Sequence, residues 1–188
     1  MVDEFQDVNN IQVELLKLLL TTQTQLFCVG DDWQSIYGFR GSNVSYIIDF
    51  PKHFENTEII TLNLNYRSAQ NIVDASNEVI KYNKYKVDKD VKASKRSEKR
   101  IVIYWGNNLE DNVQFCVRKV EELLSNGFSR DDILFLYCRS KMFRPYLDKF
   151  RQESILVQAK TIHAVKGLEA KVVFIIGLTE GSGGFPDI

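Results

Sequence analysis

LFCVGDDWQSIYGFRGS, residues 26–42, starts as a buried strand would and ends as no core segment does. Leu26 to Val29 form an apolar run closed by Gly30. Two carboxylates, Trp33, Gln34, Tyr37, Phe39 and Arg40 then follow before Gly41. A short apolar run bounded by a turn signal reads as a buried strand. In sheets covered by helices, ligands sit beyond the carboxyl ends of such strands, so the residues after Gly30 are candidates for ligand contact. Aromatic faces beside a cation suit single-stranded nucleic acid, whose bases stack while its phosphates pair with arginine. Trp33 and Tyr37 read equally well as anchors of the loop against the core. Phe39, between Gly38 and Arg40, fits that reading less well.

Outward from this stretch, apolar runs recur at 57–62 (TEIITL), 101–105 (IVIYW), 133–137 (ILFLY) and 172–177 (VVFIIG), and each reads as a buried strand. Helical spacing of apolar residues marks 10–20, 68–82 with Ser68 as N-cap, 110–125 with Gly127 as the stop, and a shorter 141–152. Strands alternating with helices predict an α/β fold, a mostly parallel sheet with helices on both faces, over 59–188 in particular. The 44% hydrophobic content is ample for a packed core and excludes a disordered chain. No apolar stretch approaches the roughly 20 residues of a membrane helix. Cys28, Cys116 and Cys138 lack paired spacing and read as reduced core thiols, consistent with a cytoplasmic protein. Neither His53 nor His163 has a ligand-spaced partner. The net charge of −1 hides a basic stretch, residues 81–100, with nine Lys or Arg against three Asp or Glu. That stretch reads either as a solvated loop or as a phosphate-tracking patch.

Three further clusters carry chemistry. Asp3 and Glu4 open the chain where a strand would end, with Asp7 one turn on. Adjacent acids suit Mg²⁺-dependent phosphoryl transfer, though a solvated helix start has the same composition. A strand-end site with almost no strand before it suggests an internal segment of a longer protein. LNLNYRS, 62–68, offers the flat face of Tyr66 and the fork of Arg67 directly after a strand. In AKTIHAVKGLEAKVVFIIGL, 159–178, Thr161, His163, Lys166 and Glu169 surround Gly167 before a buried strand.

DEFQD, GDDWQSIYGFRGS, NYRS and TIHAVKGLE, in this order, resemble motifs II, III, IV and V of the superfamily 1 helicases of the UvrD/Rep type. The resemblance covers nearly the whole chain and implies RecA-like motor lobes of the P-loop NTPase kind. Residues 1–58 would be the last part of the first lobe, which is incomplete, and 59–188 most of the second. It implies ATP and Mg²⁺ as cofactors and single-stranded or duplex DNA as partner. Asp3 would support Mg²⁺, with Glu4 beside it as the base that activates water. Gln34 would sense the γ-phosphate, Tyr66 would stack on the adenine, and Arg67 would be the arginine finger. Glu169 would reach the ribose. Phe39 would stack on a DNA base with Arg40 bracing it and Tyr37 nearby, while Thr161 and His163 would lie near the DNA backbone. Loop 30–42 would thus serve nucleotide and DNA at once.

The chain departs from the family in two ways. No G-x-x-x-x-G-K-[ST] phosphate loop occurs in it, nor does the arginine-bearing motif that follows motif V, so the segment alone is expected to be inactive. Well-known members also insert a large helical subdomain between motifs IV and V, for which 68–160 leaves no room. With GDDWQSIY and the ending LTEGSGGFPDI, this looks closest to helicase IV-like members. The implied parent is an ATP-dependent DNA helicase or translocase of DNA repair or recombination. A helicase–nuclease subunit of the RecB/AddA kind and a regulatory ATPase that never unwinds DNA are the alternatives.

Overall fold

The computed structural model describes residues 1–95 and 100–179. They fall into two compact units, Met1–Val102 and Ile103–Ile188, each with buried side chains of its own.

In the second unit a parallel three-stranded sheet runs in the order β4-β3-β5, with β3 at Ile133–Tyr137, β4 at Gln158–Thr161 and β5 at Val172–Ile175. The central strand buries Ile133, Leu134 and Phe135 in succession, as a parallel strand covered on both faces must. Helix α5, Leu109–Ser125, contributes Val113, Cys116, Val117 and Val120, whose spacing of three and four residues forms one apolar stripe. Helix α6, Ser140–Gln152, adds Phe143, Tyr146 and Phe150 by the same rule. Phe135 stacks on Phe174 at 4.5 Å and meets Phe150 edge-on at 5.3 Å. Burial pushes the Cys116 thiol up to about 12, so it behaves as a small apolar side chain. Both ends of α5 are closed. The Asn108 side chain accepts from Asp111 N–H at 2.9 Å. At the other end Gly127, at φ 87°, lets Phe128 and Gly127 donate to the carbonyls of Leu123 and Leu124.

In the first unit α1, Asn10–Leu19, starts at a capping box formed by Asn9 and Gln12. Phe5, fully buried, packs against Phe50 at 5.3 Å and Phe54 at 6.2 Å; Phe50 opens a single helical turn, α3 at Phe50–His53, that follows another, α2 at Ser45–Ile48. Strand β1, Leu64–Ala69, leads into α4, Gln70–Ile80, and α4 returns the chain to β2, Lys92–Lys95, parallel to β1. Val73 fills the space under α4, Asn77 donates to the Val91 carbonyl at 3.0 Å, and Gln70 accepts from Ala93 N–H at 3.0 Å.

The mixed α/β fold with parallel strands agrees with the sequence, but several boundaries do not. Over 59–188 the described strands pair as β1 with β2 in the first unit and as β4-β3-β5 in the second. The run 26–30 forms no strand. Val2 donates to Phe27 O and accepts from Val29 N–H, each at 2.9 Å, and Phe5 N–H bonds Val29 O. The runs 57–62 and 101–105 are not strands either, and Ile60, Leu62, Ile103 and Trp105 are exposed. A β-rich run becomes a strand only where a neighbour supplies backbone partners, and among the described residues these runs have none. Ser68 is not the cap of α4 but lies inside β1; Ala69 takes the N-cap position without a side-chain bond.

Candidate functional site

The acid pair stands on a strained turn. Glu4 adopts the left-handed conformation, φ 52° and ψ 41°, which costs a non-glycine residue about 1 kcal/mol or more. Its N–H donates to the Asp3 carboxylate at 2.8 Å, and both carboxylates are exposed. What holds the turn is Gln6, fully buried beside them. Its amide nitrogen donates to Glu4 Oε2, and its amide oxygen accepts from Asp31 N–H at 2.9 Å. Gln6 therefore joins the acid turn to the head of loop 30–42. Gly30 makes the close approach possible, since a Cβ there would meet Gln6 Oε1 at 2.6 Å and Ile47 Cδ1 at 2.5 Å.

The first part of that loop is tightly bonded. Asp31 accepts from Trp33 N–H at 3.1 Å, from the Gln34 side-chain amide at 2.7 Å and from Lys89 Nζ at 2.6 Å. Burial alone would push the Asp31 carboxyl up. Lys89, Gln34 and the Trp33 N–H outweigh it and hold the group below its ordinary value. Asp32 is buried, with one oxygen 2.8 Å from Lys89 Nζ and the other accepting from Val87 N–H at 2.7 Å. The Trp33 indole donates to Val87 O at 3.0 Å and lies under Lys89 Nζ, 4.8 Å from the ring centre. Trp33 is thus a loop anchor, one of the two readings its position allowed.

The second part faces outward. Gly38–Arg40 is a 3₁₀ turn closed by Gly41 at φ 87°. Arg40 lies 5.1 Å from the Tyr37 ring centre and 5.5 Å from that of Phe39, and Phe39 is 68% exposed.

Tyr66 and Arg67 lie at an irregularity of β1. The Asn65 side chain accepts from the N–H groups of both Arg67 and Ser68, at 2.9 and 2.8 Å, and the register with β2 shifts between Asn65 and Ala69. Tyr66 is left 68% exposed. These residues belong to the first unit. Thr161, His163 and Glu169 belong to the second. Thr161 ends β4 and accepts from Ala164 N–H at 3.3 Å, opening the turn Ile162–Val165. His163 is half-buried, and Glu169 is exposed beyond Gly167, which sits at φ 82°.

Sequence reasoning missed Gln6, Asn65 and Lys89, each a polar residue that bonds backbone or carboxylate groups nearby or across the fold. A glutamine between two acids and a phenylalanine was the available signal for Gln6. Lys89 carried no signal, since it sat in a basic stretch where every lysine looks alike. In that stretch Lys81 pairs with Glu78, Lys86 with Asp88 at 3.1 Å and Lys92 with Asp90 at 3.1 Å, so much of its charge is locally answered. Arg96 to Lys99 lie outside the described residues.

Parallel strands, helices around them and a polar loop where β4 ends define an α/β protein of the class that binds ligands at the carboxyl ends of its strands. Residues 1–55 match the UvrD/REP helicase N-terminal domain and residues 60–160 the UvrD-like helicase C-terminal domain, and the chain belongs to this helicase family. It is 36% identical to YjcD of Bacillus subtilis (strain 168) over 155 residues, 82% of this chain and 20% of that protein. To the ATP-dependent DNA helicase PcrA of Staphylococcus aureus (strain Mu50) it is 34% identical over 154 residues, 82% of this chain and 21% of PcrA. A Mycoplasma pneumoniae protein named Probable DNA helicase aligns with all of the chain at 35% identity, over 37% of its own length. The chain thus spans about a fifth to two fifths of these relatives. Among the described residues no helix is long and apolar enough to cross a membrane.

Proposed function

We propose that the chain is part of an ATP-dependent DNA helicase or translocase of the helicase IV-like kind that couples ATP hydrolysis to movement on single-stranded DNA. The observation that carries this reading is the buried Gln6. One side chain ties Glu4, on the acid turn, to the backbone of the loop that bears Gln34. A base and a phosphate contact must keep a fixed relation if phosphoryl transfer is to be catalysed by positioning and charge.

In this reading Glu4 takes the proton of the attacking water and Gln34 meets the γ-phosphate. Tyr66 stacks on the adenine, Arg67 neutralises the charge that develops on the transferring group, and Glu169 holds the ribose. Asp3 and Glu4 are adjacent and exposed, which fits Mg²⁺, a cation that keeps several waters and takes one or two carboxylates plus substrate phosphates. Among the described residues no three such side chains gather to hold a metal by themselves. When bound, the ion would offset phosphate charge. Phe39, braced by Arg40 beside Tyr37, stacks on a base, and Thr161 and His163 line the path of the DNA backbone. A cytoplasmic location is part of the same reading.

The test is a pair of substitutions in the full-length protein. Arg67→Ala is expected to cut ATP turnover by about 10³ to 10⁵ while ATP binding changes little, since its charge acts mainly in the transition state. Tyr66→Ala is expected to weaken ATP binding instead. Small and equal effects from both would sink the assignment.

A further inference from the structure

Among the described residues Lys89 is the least solvated lysine of the basic stretch, with a side chain only 11% exposed. Two of its ammonium protons go to Asp31 at 2.6 Å and Asp32 at 2.8 Å, and the group also rests on the Trp33 ring at 4.8 Å. An ammonium has three donors, so this one has little left for a phosphate. The segment around it is pinned as well, because Val87 bonds Asp32 through its N–H and Trp33 through its carbonyl. Residues 87–89 therefore clasp the loop head from a point far along the chain.

We propose that Lys89 is a positioning residue for Gln34: by holding the Asp31 and Asp32 carboxylates together it fixes the oxygen that aims the Gln34 amide. The chain of contacts is short. Lys89 bonds Asp31 Oδ1, and the other oxygen of Asp31 accepts from Gln34 Nε2 at 2.7 Å. Neighbouring carboxylates, one with a side chain 3% exposed, repel each other unless a cation lies between them. Without Lys89, Asp32 keeps a buried charge answered, among the described residues, by Val87 N–H alone, and the exposed side of Asp31 turns to water. Gln34 then loses its acceptor and its direction. The stretch after α4 thereby sets the geometry of a residue in the loop after strand-like run 26–30. This inference rests on reading Gln34 as the contact to the γ-phosphate.

The experiment measures single-stranded-DNA-stimulated ATP hydrolysis by the full-length protein. It compares Lys89→Met, Lys89→Arg, Gln34→Ala and the double variant Lys89→Met/Gln34→Ala. Lys89→Met is expected to lower kcat by about 10- to 100-fold, the scale of a small misplacement at a reacting centre, with little change in KM for ATP. Lys89→Arg, which keeps the cation, is expected to recover most of that loss. In the double variant the Lys89→Met step is expected to cost nothing beyond Gln34→Ala, because both act through one amide. A merely structural lysine would lower the melting temperature and leave kcat per folded molecule intact; that result overturns the proposal, and so does full additivity in the double variant. If Gln34→Ala leaves turnover unchanged, the reading of Gln34 falls and the proposal with it. Should Lys89→Met fail to fold, Asp31→Asn breaks the same link, and an unchanged kcat there counts against the proposal equally.

Discussion

Asp31, Asp32 and Trp33 are held by a glutamine from the acid turn, a lysine ammonium and a distant backbone segment. A few residues further along the same loop, Phe39 stands 68% exposed in a surface cluster with Tyr37 and Arg40. Both halves are rich in charge and aromatic rings, and from composition alone they look alike. The difference is where each side chain finds its partner. In the first half every polar group named has an internal one, so its residues set geometry. In the second half Phe39 and Arg40 are exposed and Tyr37 is half-buried beside them, which is what the proposed contact with DNA requires.

The sharpest way to break this contrast is to remove a tether. Asp32→Ala leaves Lys89 with one carboxylate and Val87 N–H with none, and it is expected to lower the stability of the chain by about 3 kcal/mol, as loss of one partner from a buried pair does. Urea unfolding measures this, and a loss under half of that would make the first half no more structural than the second. Phe39→Ala is the counterpart. Stability is expected to stay within about 0.5 kcal/mol, as for most surface substitutions. Affinity of the full-length protein for single-stranded DNA is expected to fall by about 1–3 kcal/mol, the worth of one stacked base. If instead the melting temperature drops and DNA affinity per folded molecule holds, Phe39 is an anchor like Trp33.

The smallest effect is in acid. The Asp31 carboxyl is held below its ordinary value in the folded chain, so its contribution to stability is complete above about pH 4, the unfolded value. It is lost as pH falls through the lower folded value. Asp132, held at about 2 chiefly by Lys171, adds a slope of the same sign in the second unit. Urea midpoints between pH 6 and pH 3 are therefore expected to fall less steeply in Asp31→Asn than in the unaltered chain. Parallel slopes would mean that the tethers on Asp31 do not favour its charged form.

Much was legible in the residues themselves. The helices 10–19, 109–125 and 140–152 follow from apolar spacing, and the end of 109–125 from Gly127, because these depend on contacts a few residues apart. ILFLY was legible as a strand because neighbours on either side complete its ladder. The family was legible in four ordered motifs, each a short run with its own chemistry. What the sequence could not decide were matters of long-range partners. TEIITL and IVIYW carry the same β-rich pattern as ILFLY, yet pattern cannot supply a neighbouring strand, and both stay unpaired among the described residues. Lys89 was one of nine basic residues in its stretch, and only the fold brought it onto Asp31 and Asp32. Gln6 was a letter between motif residues until its burial between Glu4 and Asp31 made it their link. The physical reason is one of range: helix spacing and turn chemistry are local, whereas a buried ion pair exists only once two distant segments have expelled the water between them.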